Sequence, residues 1–368
     1  MALPSVCEEF YFEVFVLGRV KIAVFLFCFL SFLPGGVYAE TFKVVSQNIW
    51  AGLTKHYDLS VGGGAAAHVN ISCETGSTKY NERVKSYLRY LSEVVGEEED
   101  FIFAFQEIDN KSERTCGDGS PLVQRIGDHF LPEVENVFLG LRPMDNYGGV
   151  PGEAQDSMSN GEMSGVYVGN AIITRPKIRE TMYKVLRKGL SDDQKTSRGY
   201  VTTLLEFESE KQLWFVNIHA THGDASLAVA DVKQMLIDMK EAYQREPRPI
   251  IFSGDFNIRS GTSHYDDLIE LFDEYFDGTV EATQKIEYTY MKRSEGSGSG
   301  GHVMVDGSKL DYIFYYSPNG LIKQKILPVN APNGYPFPLL SAEAKDALCV
   351  GSECFPDHKL IYAEFYWP

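Results

Sequence analysis

Basic residues are scarce in this chain. Lys and Arg number 34 against 51 Asp and Glu, a formal net charge of −17 over 368 residues. That balance excludes an electrostatic nucleic-acid scaffold of the histone type, which needs cations along the phosphates. It does not exclude an enzyme that cuts nucleic acid, because a divalent metal at the site supplies positive charge. Long apolar runs are also lacking. The run at residues 22–33 is shorter than the about 20 residues that a membrane-spanning helix needs. Cysteine is sparse, at 6, with no Cys-x-x-Cys pair or Cys/His cluster to hold structural zinc. No Gly-x-Ser-x-Gly elbow is present, which argues against a serine hydrolase. No internal repeat is found. What remains is ordinary: 44% hydrophobic and 23% charged residues, values that exclude wholesale disorder, a collagen-like chain and a multi-span membrane protein.

The N-terminus has the layout of an export signal. Arg19 and Lys21 precede the apolar run, Pro34-Gly35-Gly36 breaks it, and Val37-Tyr38-Ala39 offers small residues for cleavage. Residues 1–39 are therefore expected to be a signal peptide and 40–368 a single domain, secreted or periplasmic. An uncleaved anchor is the other reading. Cleavage would remove Cys7 and Cys28 and leave Cys73, Cys116, Cys349 and Cys354. Four cysteines in an exported chain allow two disulfides, in three connectivities, or four free thiols. Cys349 and Cys354 are close enough in sequence for a local loop. Asn70-Ile71-Ser72 and Asn110-Lys111-Ser112 match the glycosylation pattern, which matters only in a eukaryotic secretory route.

Strands are predicted over residues 41–49, 101–105, 165–174, 200–207, 213–218, 249–253, 309–316 and 360–366. Helices are predicted over 80–95 and 227–243, where apolar residues recur at helical spacing. Residues 61–67, 144–162 and 293–301 read as surface loops. Strands with intervening helices give an α/β class, with two sheets packed together and helices outside.

Polar residues recur at the ends of these strands. Asn48, Glu107, His219, Asp255 with Asn257, Asp311, and Asp357 with His358 each adjoin an apolar run. Singly, each is an ordinary turn former or solvated cap. Together, in six strand-end contexts, they look like a site built where rigid scaffold meets solvent. His222, Arg175 and Arg198 read as polar surface residues, although the two arginines are also cations for a phosphate.

The stretches Ser46-Gln47-Asn48-Ile49-Trp50, Gln106-Glu107-Ile108-Asp109, Gly169-Asn170-Ala171-Ile172-Ile173-Thr174-Arg175, Asn217-Ile218-His219, Gly254-Asp255-Phe256-Asn257, Leu310-Asp311-Tyr312-Ile313-Phe314 and Pro356-Asp357-His358 resemble, in order, those of the endonuclease/exonuclease/phosphatase superfamily. The resemblance implies the deoxyribonuclease-I-like fold, an α/β (α+β) four-layered sandwich of two β-sheets flanked by helices. It implies a Mg²⁺ site (Mn²⁺ as alternative) on Glu107, with Asn48 and Asp357. It implies His358 as general base held by Asp311, Asp255 and Asn257 orienting water and phosphate, His219 donating to a phosphate oxygen, and Asn170 lining the pocket. Pro356 departs from the Ser usual in the family. The implied reaction is hydrolysis of a phosphoester.

The substrate is less determined. Ser197-Arg198-Gly199-Tyr200-Val201 and Tyr80-Asn81-Glu82-Arg83 resemble bacterial neutral sphingomyelinases. Gly334-Tyr335-Pro336-Phe337-Pro338-Leu339-Leu340 resembles an aromatic hairpin that such enzymes put into a membrane surface, so Tyr335 to Leu340 is an expected peripheral membrane contact. A loop packed on its own domain is the plain alternative. The lean is to a phospholipid substrate, with a deoxyribonuclease-I-like endonuclease as rival and an inositol phosphatase or an inactive binding relative behind. A monomer is expected.

Overall fold

The structure is a computed structural model. It describes residues 40–49, 55–58, 67–70, 73–96, 100–112, 122–131, 166–187, 198–284, 286, 289–295, 302–325, 349–350, 353–354 and 358–368. Thr41–Pro368 is one compact unit. The predicted signal, residues 1–39, lies outside the described residues, as do Cys116, Asp357 and residues 335–340.

Strand β1 (Thr41–Asn48) begins the fold, followed by β2 (Lys55–Asp58), β3 (Ala67–Asn70) and helix α1 (Cys73–Val95). Next come β4 (Asp100–Ser112), α2 (Leu122–Phe130), β5 (Val166–Thr174), β6 (Lys177–Arg187), β7 (Arg198–Glu206) and β8 (Gln212–His219). Helix α3 (Ala225–Arg245), β9 (Ile250–Asp255), α4 (Ser263–Tyr275), β10 (Val280–Glu281), β11 (Tyr290–Glu295), β12 (His302–Ser308) and β13 (Asp311–Tyr316) follow. The chain ends with β14 (Lys323–Gln324), β15 (Cys349–Val350), β16 (Glu353–Cys354) and β17 (Ile361–Tyr366). One sheet has the order β14-β17-β1-β4-β5 and the other β10-β13-β9-β8-β7-β6.

The period of two along each strand explains how these layers stack. In β1, Val45 joins the cluster that contains Tyr87, Leu91 and Val94 of α1 and Ile126 of α2. Its neighbours Phe42 and Val44 join a different cluster, with Leu213 and Phe215 of β8 and Ile313 of β13. In β8 the alternate residues Trp214, Val216 and Ile218 pack against Val232, Leu236 and Met239 of α3. Each sheet therefore buries one face on helices and the other on the opposite sheet, which is the expected α/β sandwich of four layers. Burying side chains such as Trp214 and Phe215 stabilises the fold by roughly 1.5–3 kcal/mol each. Asp224 caps α3, its Oδ1 accepting from the Leu227 N–H at 3.1 Å.

Some elements differ from the expectations. Residues 293–301 were expected to be loop, but Arg293 to Glu295 belong to β11, which pairs with β12. Lys292 and Arg293 carry a polar, non-alternating pattern that hides the ribbon. Helices α2 and α4 and the edge strand β6 have no counterpart among the predicted elements. Helix α4 did carry the signal: Leu268, Leu271 and Phe272 lie at helical spacing and are buried. The backbones of Cys349 and Cys354 face each other across β15 and β16. Among the described residues no helix is long and apolar enough to cross a membrane.

Candidate active site

The same parity that builds the core delivers polar side chains to one place. In β1 the inter-sheet face runs Phe42, Val44, Ser46 and ends at Asn48. In β8 it runs Leu213, Phe215, Asn217 and ends at His219. In β9 it runs Ile251, Ser253 and ends at Asp255. β8 and β9 are parallel, with His219 opposite Asp255, and β13 is antiparallel to β9, with Asp311 opposite Asp255. β17 runs antiparallel to β1, so His358, just before it, arrives at the same end. Five predicted residues, Asn48, His219, Asp255, Asp311 and His358, thus share one end of the inter-sheet space.

Glu107 reaches that end by a different route. Along β4, Phe101, Phe103 and Phe105 face the helices, and so does Ile108. Two residues, Gln106 and Glu107, stand where the alternation allows one. The pairing to β5 shifts between Phe105 and Ile108, the signature of a β-bulge, and Glu107 has φ +52°. A non-glycine residue in this left-handed region carries a conformational cost, so neighbouring contacts must hold it there.

The contacts are specific. His358 Nδ1 lies 2.9 Å from Asp311 Oδ2, so the carboxylate accepts a hydrogen bond from Nδ1–H, which in the neutral ring leaves the lone pair on Nε2. That Nε2 is 3.9 Å from Asp255 Oδ2. Asp255 Oδ2 accepts from Asn48 Nδ2 at 3.1 Å, and its Oδ1 from the Asn257 N–H at 2.9 Å. Burial, then the Asp311 charge, push the Asp255 carboxyl up to about 7. The nearby His358 and the two donated hydrogen bonds oppose that shift. His219 Nε2 is 3.7 Å from Glu107 Oε1 and 3.6 Å from Asp255 Oδ2. Burial and the cation Arg198 hold its pKa well below the usual histidine value, so it is neutral. Arg198 Nη1 is 3.4 Å from His219 Nδ1. A guanidinium only donates, so Nδ1 accepts and the His219 proton sits on Nε2, aimed at the two carboxylates.

Arg198 was expected on the solvated surface. It lies instead against Glu107, at 3.8 Å, with a side chain only 13% exposed. Arg175 behaves differently, stacking its guanidinium 5.3 Å from the Phe101 ring centroid. His222, set aside in the sequence, has its Nδ1 3.2 Å from Asn257 Oδ1, while Asn257 Nδ2 donates to the Ala220 carbonyl at 3.0 Å. Both ends of the Asn257 amide are therefore engaged by the segment after β8. Asn170, expected to line the pocket, is buried between the sheets and donates to the Gly199 and Asn217 carbonyls.

Supporting residues escaped the sequence reading altogether. The Thr289 hydroxyl accepts from the Leu310 and Asp311 N–H groups at 2.9 and 3.0 Å, and its carbonyl accepts from the Lys359 N–H at 2.6 Å. One residue thus braces both partners of the Asp311–His358 pair. Gln47 Nε2 donates to the His358 carbonyl at 2.8 Å and is itself held by the Tyr87 hydroxyl at 2.7 Å. Gly254 has φ +140°, and a Cβ there would lie 2.0 Å from the Ile218 carbonyl oxygen. Only glycine lets β8 and β9 approach at this point.

One donor set and one further carboxylate fit a divalent cation. Asp255, Asp311 and His358 each present one atom within 4.8 Å of the others, and Asp311 Oδ1 is buried without a hydrogen-bond partner among the described residues. In that set, however, Nδ1 of His358 and Oδ2 of Asp311 are already spent on each other. Glu107 offers carboxylate oxygens whose neighbours, the cation Arg198 and the neutral His219, both stand beyond hydrogen-bond distance. Oxygen donors of this kind suit a hard cation.

No protein-family model matches the chain, and no curated protein matches it. Solved structures do. One is an endonuclease/exonuclease/phosphatase from Bacteroides vulgatus, with 14% identity, a TM-score of 0.49 and coverage of 89% of this chain and 99% of that one. Another is TDP2 of D. rerio, complexed with a single-strand DNA product, with 13% identity, a TM-score of 0.48 and coverage of 88% and 98%. A third is the human Nocturnin catalytic domain with bound sulfate, with 15% identity, a TM-score of 0.48 and coverage of 89% and 94%. Likenesses at this level transfer no residue roles. The solved structures that this chain is similar to include several bearing the name of the superfamily that its motifs resemble.

Proposed function

We propose that this chain is a divalent-metal-dependent phosphoester hydrolase, and that its substrate is a phospholipid of the sphingomyelin type. The observation that supports the reaction class is the Asp311–His358 pair facing Asp255, with Glu107 and His219 beside it.

The roles follow from the protonation states. His358 Nε2, with its lone pair, takes a proton from the attacking water, and Asp311 stabilises the imidazolium that results. Asp255 and Asn257 orient that water and the phosphate. The water oxygen bonds to phosphorus as the ester oxygen leaves with its electron pair. His219, neutral and protonated on Nε2, donates to a phosphate oxygen as negative charge grows there. Arg198 holds His219 in that tautomer. Glu107, with Asn48 and Asp357, is the proposed donor set for Mg²⁺ or Mn²⁺, which when bound supplies Lewis-acid polarisation of a phosphoryl oxygen.

The lipid reading rests on the Ser197 to Val201 and Tyr80 to Arg83 stretches, and on the net charge of −17, which favours a zwitterionic headgroup over an anionic polymer. With it go export through residues 1–39, membrane contact through residues 335–340, and a monomer. The test is Mg²⁺-dependent release of phosphocholine from sphingomyelin liposomes, with plasmid DNA in parallel. Phosphocholine release without nicking supports the proposal. Nicking alone replaces it with an endonuclease, and unchanged activity in EDTA removes the metal from it.

A further inference from the structure

The Glu107 bulge needs something to hold it, and the structure assigns that task to Asn217, a residue of the opposite sheet: we propose that Asn217 is a positioning residue for the cation site on Glu107. This rests on the metal reading of Glu107 given above.

The argument starts from the bulge's own hydrogen bonds. Where the β4–β5 register shifts, backbone carbonyls lose their ladder partners, and a buried carbonyl without a donor is costly. Two carbonyls beside the bulge, Phe105 on β4 and Ala171 on β5, both accept from the Asn217 side chain, at 2.9 Å each. The Asn217 Oδ1 accepts from Gln106 Nε2 at 2.6 Å. Gln106 is the bulge residue next to Glu107. All three hydrogen bonds thus run from one buried amide of β8 to the strand pair that carries Glu107. Asn170, which stands opposite the bulge on β5, returns the tie by donating to the Asn217 and Gly199 carbonyls, at 3.4 and 3.1 Å. The two sheets are cross-linked one layer beneath the site.

Asn217 is also two residues before His219 on the same face of β8. One strand therefore sets the position of His219 directly and that of Glu107 through the amide. Aspartate at 217 cannot donate to two carbonyls, and alanine leaves them bare. Loss of the amide is expected to free residues 106 and 107 to rearrange, which turns the Glu107 carboxylate away from the site.

The test is Mn²⁺ binding by the purified full chain, followed by calorimetric titration in the absence of substrate. Asn217→Ala is expected to weaken Mn²⁺ at least about tenfold, as loss of partners outside the ligand shell does in other metal sites. Gln106→Met, which removes one of the three bonds together with the Gln106 contacts to Ser46 Oγ and the Ala104 carbonyl, is expected to weaken it less and in the same direction. Val232→Ala, in the helix-facing core on the other side of the β8 sheet from the site, serves as the control for general destabilisation and is expected to leave the affinity unchanged. Should Asn217→Ala fail to fold, Gln106→Met carries the test. Wild-type affinity in the folded Asn217 variant, or in Gln106→Met where it is the test, would overturn the assignment while leaving the metal reading intact. A wild-type protein that binds no Mn²⁺ would instead overturn the metal reading and the assignment with it.

Discussion

Asp255 is where function and stability oppose each other most directly. Replacing it with Asn keeps the shape and removes the titration. In the unfolded chain this carboxyl ionises near 3.8; in the fold, burial and the Asp311 charge raise it to about 7. The folded state therefore binds more protons between those values, and folding stability falls as pH rises through that window. Below it the wild-type carboxyl is protonated in both states and the cost is absent. At full ionisation the cost is roughly 4 kcal/mol, and between pH 5 and pH 8 it changes by roughly 2–3 kcal/mol. Asn has no such dependence. It does lose the charge on the acceptor for Asn48 and the Asn257 N–H, which costs roughly 1–2 kcal/mol at any pH. Asp255→Asn is thus expected to gain on wild type by about 2–3 kcal/mol between pH 5 and pH 8, while losing activity. The assay is urea unfolding followed by tryptophan fluorescence, in EDTA so that no cation offsets the buried charge. Parallel stability–pH profiles for the two proteins would refute the reasoning.

Other perturbations separate the remaining parts. His358→Ala is expected to lower kcat about 10²–10⁴-fold, the range for loss of a general base, and His219→Ala about 10²–10³-fold, as for loss of one donor to a developing oxyanion; a variant within a few-fold of wild type in steady-state kinetics removes that residue from the mechanism. Gly254→Ala drives a Cβ to 2.0 Å from the Ile218 carbonyl oxygen at φ +140°, so it is expected not to accumulate as folded protein; a urea midpoint equal to wild type would show that the β8–β9 approach relaxes freely. Tyr335→Ala with Phe337→Ala is expected to reduce sedimentation with sphingomyelin liposomes while leaving metal-dependent hydrolysis of a soluble phosphodiester intact; undiminished liposome binding counts against the membrane contact.

The strand-end residues were legible because a strand's period of two is local. Knowing that Val44 and Ser46 alternate with Val45 and Gln47 is enough to put Asn48 on the face of Phe42. The same logic reads His219 and Asp255 from their own strands. It fails at Glu107, because a bulge breaks the alternation and nothing in Gln106-Glu107-Ile108 marks the break; the residue that satisfies it, Asn217, lies more than 100 positions away. Arg198 and His222 were set aside for a related reason. Each is an unremarkable polar residue in sequence, and only contacts with Glu107, His219 and Asn257 give it a place in the site. Thr289 had no signal at all.

By itself the sequence determined the layers, the order of the strands' polar ends and the chemistry on offer, since hydrophobic periodicity and residue type are properties of a short segment. The tertiary structure decided which nitrogen of His219 and His358 carries the proton, how high the Asp255 carboxyl titrates, and that Glu107 faces the site. Those outcomes depend on distances between atoms brought together from strands far apart in the chain, and on the water that packing excludes from around them.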